Sequence, residues 1–476
     1  MYLIELLKDW PCTIKGKWRD VSVETVTEHP ERITEKSLFF ARKGAQFDGL
    51  DSVCRAIEMG AAAIIIDRTV SENKLAQWCA RGATIVTVPD CKKFLSHCSA
   101  QLAGEPAKEL TIVAVTGTNG KTTVTHFIGQ LLTHFGVKVA VLGTTGCFIN
   151  GEKVEEVTPQ LTTLTAEYLH PLLRKCVDRG VTHIALEASS LGLEMDRLMH
   201  CRAAIGVYLN IGEDHFDEHG GKKSYIQAKK ILTTLSETLL VNCEDVECMN
   251  LVKDAGVPIQ LFGRNVANGF MPSEELVSML PPGEHNRLNA MAAASVVNML
   301  GFSERKIFEA FDVLTLPEGR MQRLPNLGRE VYIDYAHTPD ALLAVLQAMK
   351  SLNPRKLICL FGCGGNRDKQ KRPLMGKIAE EICDVVVLTS DNPRSEDPAV
   401  IVEDIMRGVQ NPSSILVEVD RKKAIHQAIV TSDPGDIILI AGKGHEKVQF
   451  VAGVELVMSD YEEALSALKQ LETVQE

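Results

Sequence analysis

Residues 116–123 read Thr-Gly-Thr-Asn-Gly-Lys-Thr-Thr, and their flanks leave few folds open. Before them, Thr111-Ile112-Val113-Ala114-Val115 is β-branched and apolar, the make-up of a strand buried on both faces. After them, Phe127, Ile128, Leu131, Leu132 and Phe135 recur at helical spacing until Gly136 stops the run. Val137 to Leu142 is a second strand. Strand, glycine turn, helix, strand is a βαβ unit, whose crossover favours a parallel sheet. In that context the turn reads as a phosphate loop. Gly117, Thr118, Asn119 and Gly120 would bring backbone N–H groups around phosphate oxygens, and the helix N-terminus beginning near Thr123 adds positive potential. Lys121 would pair with the β- and γ-phosphates of a nucleoside triphosphate, and Thr122 would hold Mg²⁺. The generic pattern has glycine where this chain has Val115, so a structural turn with an incidental lysine is the alternative.

A chain of 476 residues is too long for one core, and size priors suggest about three domains. Residues 1–105 alternate short apolar runs, Ala62 to Ile66 and Thr84 to Val88, with helix-like stretches, as a small α/β unit does. Ala103-Gly104-Glu105-Pro106-Ala107 reads as a linker. Residues 106–315 then form a central P-loop ATPase-like α/β unit with a mainly parallel sheet, including strands at Ile184 to Leu186 and Ala203 to Leu209. Residues 316–476 form a Rossmann-like α/β unit, with strands at Val331 to Ile333, Leu357 to Phe361, Val385 to Thr389 and Ile437 to Ala441. Each of those last runs is followed by a polar segment, and ligands of such sheets gather at the carboxyl ends of the strands.

Composition removes several function classes. With 51 basic against 62 acidic residues the net charge is −11, and no basic run interrupts it, so a nucleic-acid partner is not expected. The thirteen cysteines stand singly with no CxxC pair, which suits a reducing compartment. The N-terminal stretch MYLIELLKDW is no signal peptide. The longest apolar run, Ala61 to Ile66, is far short of the roughly 18 residues of a membrane helix, so no membrane partner is expected either. The expectation is a cytoplasmic monomer acting on small molecules.

The loop TGTNGKTT resembles that of the Mur ligase and folylpolyglutamate synthetase superfamily, and seven further motifs resemble Mur ligases in order. They are Leu161-Thr162-Thr163; Glu187-Ala188-Ser189-Ser190-Leu191-Gly192-Leu193, with Arg197 at the family offset; and Asp214-His215-Phe216-Asp217 with His219-Gly220, close to D-H-L-D-Y-H-G. Ala228-Lys229, His285-Asn286-Arg287-Leu288-Asn289, Gly319-Arg320-Met321 and Asp334 to Asp340 complete the set. The resemblance implies an ATP-dependent amide ligase of peptidoglycan synthesis that works through an acyl phosphate. It implies catalytic roles for Lys121, Glu187, His215 and Lys229. It also implies Mg²⁺ held by Thr122, Glu187, His215 and Lys229, the last as N6-carboxylysine. Asn286, Asn289, Arg320 and Asp334 would contact ATP. Ala45, Gln46 and Phe47, in a G-x-x-x-D-G loop, would join Thr162, Thr163, Ser189 and Arg197 around a UDP-muramyl dipeptide. The chemistry agrees: a carboxylate must be activated before an amine can displace anything from it. Phosphoryl transfer then gathers negative oxygens that need cations. Read without their neighbours, Glu187, His215 and Lys229 would be a cap, a structural imidazole and a solvated helix charge.

The amino acid to be added is read from three turns: Gly364-Gly365-Asn366-Arg367-Asp368-Lys369, Asp391-Asn392-Pro393-Arg394 and Gly442-Lys443-Gly444-His445-Glu446. Diaminopimelate carries a second carboxylate and ammonium at its far end. A guanidinium fork suits the first and a glutamate the second. Arg394 and Glu446 supply that pair, with Arg367, Asp391, Asn392, Pro393 and Gly442 around them, and DNPR resembles the signature of diaminopimelate-adding members. The bland reading of DNPR is a proline turn with a surface arginine. Departures from the family are Glu28-His29-Pro30-Glu31-Arg32 in place of D-S-R, Leu164 for Pro, Leu191 for His, Met195 for a polar residue and Asn366 for Asp. Rival readings are a lysine-adding ligase, a folylpolyglutamate synthetase and a nucleotide-binding regulator without catalysis.

Overall fold

Apolar runs too short for helices and bounded by glycine and polar turns pair into three successive sheets, each with its own core. The structure is a computed structural model; it describes residues 1–476 except Lys17, Arg19, Ala45, Gln46, 155–158, Glu213, His215, 265, 267–279, 326–328 and Glu476. The sequence-based proposals for Ala45, Gln46 and His215 therefore lie outside the described residues.

The first sheet contains β1 (Thr13–Gly16), β2 (Thr25–Thr27), β3 (Ser37–Phe40), β4 (Ala63–Ile66) and β5 (Thr84–Thr87), in the order β1-β5-β4-β3-β2. Only β1 runs antiparallel. β3 and β4 are buried along their whole length, the pattern of strands covered on both faces.

The second sheet contains β6 (Thr111–Thr116), β7 (Val139–Gly143), β8 (Gly146–Ile149), β9 (Glu152–Val154), β10 (His183–Glu187), β11 (Ala203–Tyr208), β12 (Ser236–Asn242) and β13 (Ile259–Phe262). Its order is β13-β12-β11-β6-β10-β7-β8-β9, parallel up to β7 and closed by an antiparallel β8–β9 hairpin. β6, which leads into the phosphate loop, therefore lies inside the sheet between β10 and β11. The helix after the loop runs Lys121–His134, so it begins before the first residue of the apolar stripe.

The third sheet contains β14 (Gln322–Arg323), β15 (Glu330–Asp334), β16 (Leu357–Phe361), β17 (Val385–Leu388), β18 (Ile415–Val417) and β19 (Ile437–Ala441). Its order is β14-β15-β19-β16-β17-β18, parallel except for β14. A separate hairpin, β20 (Val448–Val451) and β21 (Val454–Val457), follows. All three units have the α/β architecture expected.

The segment 103–107 is less open than a linker. The helix Cys91–Leu102 ends just before it, and a 3₁₀ turn spans Pro106–Glu109, with Ala107 buried in the second core. That helix packs on Ala166–Asp178, where His97, His170 and His200 meet with ring centroids 5.4 Å apart for His97–His200 and 6.4 Å for His170–His200. His170 is fully buried, and burial pushes its pKa down to about 3. Among the described residues no helix is long and apolar enough to cross a membrane.

Candidate functional site

The carboxyl ends of β6 and β10 and the start of the third unit enclose a cleft of about 520 Å³. Register explains why Val115 need not be glycine: it is still strand, paired with Glu187 of β10 and Val207 of β11. The turn proper begins beyond it. Gly120, at φ 90°, closes on Asn289, whose Oδ1 would lie 2.5 Å from any Cβ placed there. Thr118 N–H donates to Asn210 O (2.9 Å) and Asn119 N–H to Asn210 Oδ1 (2.8 Å), fixing the loop against the end of β11.

Lys121 folds back on the loop, donating to the carbonyls of Gly117 (2.9 Å) and Thr118 (3.1 Å). Burial lowers its pKa, while Glu187 and Asp214 support its charge. Thr122 Oγ1 donates to Glu187 Oε1 (2.9 Å). The same carboxylate accepts from Thr144 N–H (2.9 Å) and Thr144 Oγ1 (3.1 Å), and Thr162 Oγ1 lies 3.1 Å from Thr144 Oγ1. Gly143 makes room for this cluster: a Cβ there would sit 2.1 Å from Glu187 Oε1. From the third unit, Arg320 Nη2 donates to Thr122 Oγ1 (3.3 Å), and its guanidinium lies 4.5 Å from the centre of the Tyr335 ring.

Asn286, Asn289, Arg320 and Asp334 all line the cleft. Asn286 Nδ2 donates to Pro282 O (2.8 Å) and faces Met321 Sδ (3.3 Å). Both Asp334 oxygens accept backbone N–H groups, from Met321 and from Ala336, each at 2.7 Å. Asp334 thereby sets the turn that carries Arg320, and burial raises its pKa.

Lys229 sits behind the loop on the helix Lys222–Leu235, fully buried, its Nζ 3.4 Å from Thr116 Oγ1 and 4.8 Å from the centre of the Tyr225 ring. Burial first, and then the Lys121 charge, hold its pKa well below the ordinary lysine value. Among the described residues no three or more His, Cys, Asp or Glu side chains form a ready metal cage. Thr122 and Glu187 are hard oxygen donors beside a phosphate loop. That donor set fits Mg²⁺, which takes much of its shell from phosphate and water.

Thr163 Oγ1 donates to Glu187 O (2.7 Å) and accepts from Ser189 N–H (2.9 Å) and Ser189 Oγ (3.0 Å). Arg197 Nη1 donates to Thr163 O (2.6 Å), so the paired threonines, Ser189 and Arg197 form one network around the end of β10. Phe47 is exposed on the first unit. Two of the sequence departures converge here. Arg42 grips Glu28 through Nε and through Nη2 (2.7 Å), and its Nη1 lies 3.9 Å from Met195 Sδ. His29 Nε2 (3.5 Å) and Arg32 Nη1 (3.4 Å) reach Glu167 of the second unit.

The three turns of the third unit also meet. Arg394 adopts φ 54° and donates through Nη1 to Gly365 O (2.8 Å). Asn392 Nδ2 donates to Glu446 Oε2 (2.8 Å), and buried Lys443 donates to the same oxygen (2.9 Å) and to Asn392 Oδ1 (3.2 Å). Gly442, at φ 111°, lies beside Asp391, and Pro393 O packs against Gly365. The hairpin braces this turn: Arg394 N–H donates to Phe450 O (2.9 Å), and Ala452 N–H to Arg394 O (2.5 Å). Tyr335 links the two regions. It lines the cleft, and burial followed by the Glu446 charge raises its pKa. Arg367 instead pairs with Glu218 of the second unit (2.9 Å).

The family model of the Mur ligase middle domain matches residues 115–297, and that of the Mur ligase glutamate ligase domain matches residues 319–444. The chain belongs to the Mur ligase family. A Mur ligase from Clostridium acetobutylicum, "UDP-N-acetylmuramoyl-L-alanyl-D-glutamate--2,6-diaminopimelate ligase 1", is 32% identical over 95% of this chain and 96% of its own length. The Aquifex aeolicus protein of the same name, without the numeral, is 34% identical over 92% of each. Among solved structures, a UDP-N-acetylmuramoyl-L-alanyl-D-glutamate--2,6-diaminopimelate ligase has a TM-score of 0.64 at 30% identity, over 98% of both chains. The Mur ligase residues that sequence reasoning left out are Thr144, Lys443 and Glu218. Thr144 carried one available signal, its place at the end of a predicted strand; Lys443 joins Glu446 of its own turn to the remote Asn392, and Glu218 meets Arg367 of another unit.

Proposed function

We propose that this Mur ligase adds meso-diaminopimelate to the D-glutamyl γ-carboxylate of UDP-MurNAc-L-Ala-D-Glu, using ATP, in peptidoglycan synthesis. The observation that carries the reading is a second polar cluster beside the phosphate-loop cleft. A phosphate loop with Thr122, Glu187 and Arg320 lines the cleft. Tyr335 lines it too and feels the charge of Glu446, which Asn392 of the Arg394 turn and Lys443 hold. Full-length identity to relatives of that name supports it.

Catalysis follows from where the charges are. The substrate carboxylate attacks the γ-phosphorus of ATP, its oxygen forming the new P–O bond as the bond to the β-phosphate oxygen breaks. Lys121 and the loop N–H groups hold the phosphates, and Arg320 brings a guanidinium from the third unit to the oxygens that gain charge. Thr122 and Glu187 would hold Mg²⁺, which when bound neutralises phosphate charge. The acceptor's amine then attacks the acyl carbon, and inorganic phosphate leaves. Arg394 and Arg367 orient the acceptor's far carboxylate and Glu446 its ammonium. Lys229, whose burial disfavours the ammonium form, is suited as the free amine to condense with CO₂, forming an N–C bond and releasing a proton. The resulting carbamate is an anion beside the phosphate loop.

The assay is phosphate release from ATP with Mg²⁺ and UDP-MurNAc-L-Ala-D-Glu, supplied with diaminopimelate, with lysine or with neither. Release only with diaminopimelate is expected. The variant R394A should raise the KM for diaminopimelate by about tenfold or more with the KM for ATP nearly unchanged. Equal release with lysine, or none with any amino acid, overturns the proposal.

A further inference from the structure

The short helix Phe216–His219 of the second unit carries Glu218, whose Oε1 lies 2.9 Å from Nη1 of Arg367 on the third unit. Arg367 has a like-charged neighbour. A Cβ at Gly364 would lie 3.0 Å from Arg394 Nη1 and 3.6 Å from Arg367 Cγ. After burial, the Arg367 charge is the largest influence lowering the Arg394 pKa. The nearby carboxylate of Glu396 is already committed to Arg372 (3.0 Å) and Lys369 (3.1 Å). The carboxylate paired with Arg367 comes from a helix of the second unit. In the D-H-L-D-Y-H-G motif that 214–220 resembles, tyrosine stands where this chain has Glu218.

We infer that Glu218 is a positioning residue for the acceptor amino acid, holding the Arg367 guanidinium from the second unit. A guanidinium has five N–H donors in a fixed fork. Glu218 engages Nη1, so the fork is aimed while donors remain for the acceptor's far carboxylate. The inference rests on the reading that Arg367 contacts that carboxylate. It also makes acceptor affinity depend on the second and third units standing close together.

Steady-state kinetics of the full-length enzyme separate the possibilities. Glu218→Gln should raise the KM for diaminopimelate by about fivefold, leaving kcat and the other two KM values within about twofold, because the pair is partly exposed. Glu218→Asp should recover part of the loss. In an R367A background, E218Q should add nothing further, since its effect passes through Arg367. An unchanged KM in E218Q, an additive double variant, or equal rises in all three KM values overturns the inference. If R367A itself leaves the diaminopimelate KM unchanged, the acceptor reading of Arg367 fails and this inference with it. Absence of diaminopimelate-dependent turnover in the wild-type enzyme instead overturns the proposed function.

Discussion

A half-buried lysine ends the phosphate loop and a fully buried one lies behind it, and their surroundings divide their chemistry. Lys121 has two carbonyl acceptors and supporting carboxylates, whereas Lys229 has a threonine hydroxyl at 3.4 Å and an aromatic face. A buried ammonium so weakly compensated gives up its proton readily, and the free amine is the form that reacts with CO₂. Protein equilibrated with ¹³C-bicarbonate should give a carbamate carbon resonance that the Lys229→Met variant lacks; identical spectra would remove the assignment. At this scale the sequence was most informative where one residue's role follows from its immediate neighbours. Lys121 and Thr122 are legible because strand, turn and helix around them are contiguous. Lys443 and Glu218 were not, because a lysine three residues before a glutamate, or a lone glutamate, reads as a solvated charge. Lys443 gains its meaning from Asn392 and Glu218 from Arg367, both distant in sequence.

Among elements, the turns after parallel strands hold most of the site, as the doubly wound architecture requires. The end of β7 is tightly constrained. Gly143→Ala would press a methyl group into the Glu187 carboxylate and displace it from Thr122. A displacement of about 1 Å at such a centre costs about a hundredfold in rate. The expected outcome is a kcat reduced by that order with the circular dichroism spectrum retained, and near-native turnover would refute it. Periodicity alone located β6, β10, β11, β15, β16, β17 and β19, because strands buried on both faces are plain in sequence. It missed the start of the helix Lys121–His134, since Lys121, Thr122 and Thr123 are polar for the sake of phosphate. It also read 103–107 as open chain, because proline and glycine break patterns whether or not the segment then packs against a core.

Across the whole molecule, buried imidazoles tie stability to pH. His170 at the junction of the first two units has its pKa lowered from 6.5 to about 3 by burial, and His126, His285 and His445 are each lowered to about 4. These groups are neutral when folded but bind protons near pH 6.5 when unfolded. Their contribution is therefore present above 6.5 and lost as pH falls towards the folded value, by up to about 2 kcal/mol each at pH 5. Melting temperature should fall between pH 7 and pH 5, and His170→Leu should show a shallower fall; equal slopes would contradict this origin. The three-unit plan was readable from length and strand grouping. The contacts between units were not, because Arg320 on Thr122 and Arg32 on Glu167 join positions that no local pattern connects. One such arrangement bears on how this enzyme can diverge. The Arg394 turn is braced by a hairpin that belongs to none of the three large sheets. Substitutions there leave β6, β10 and the phosphate loop untouched. On the proposed assignment of that turn to the acceptor, acceptor choice can drift across lineages, or be varied in a library, while the phosphate-loop machinery is inherited intact.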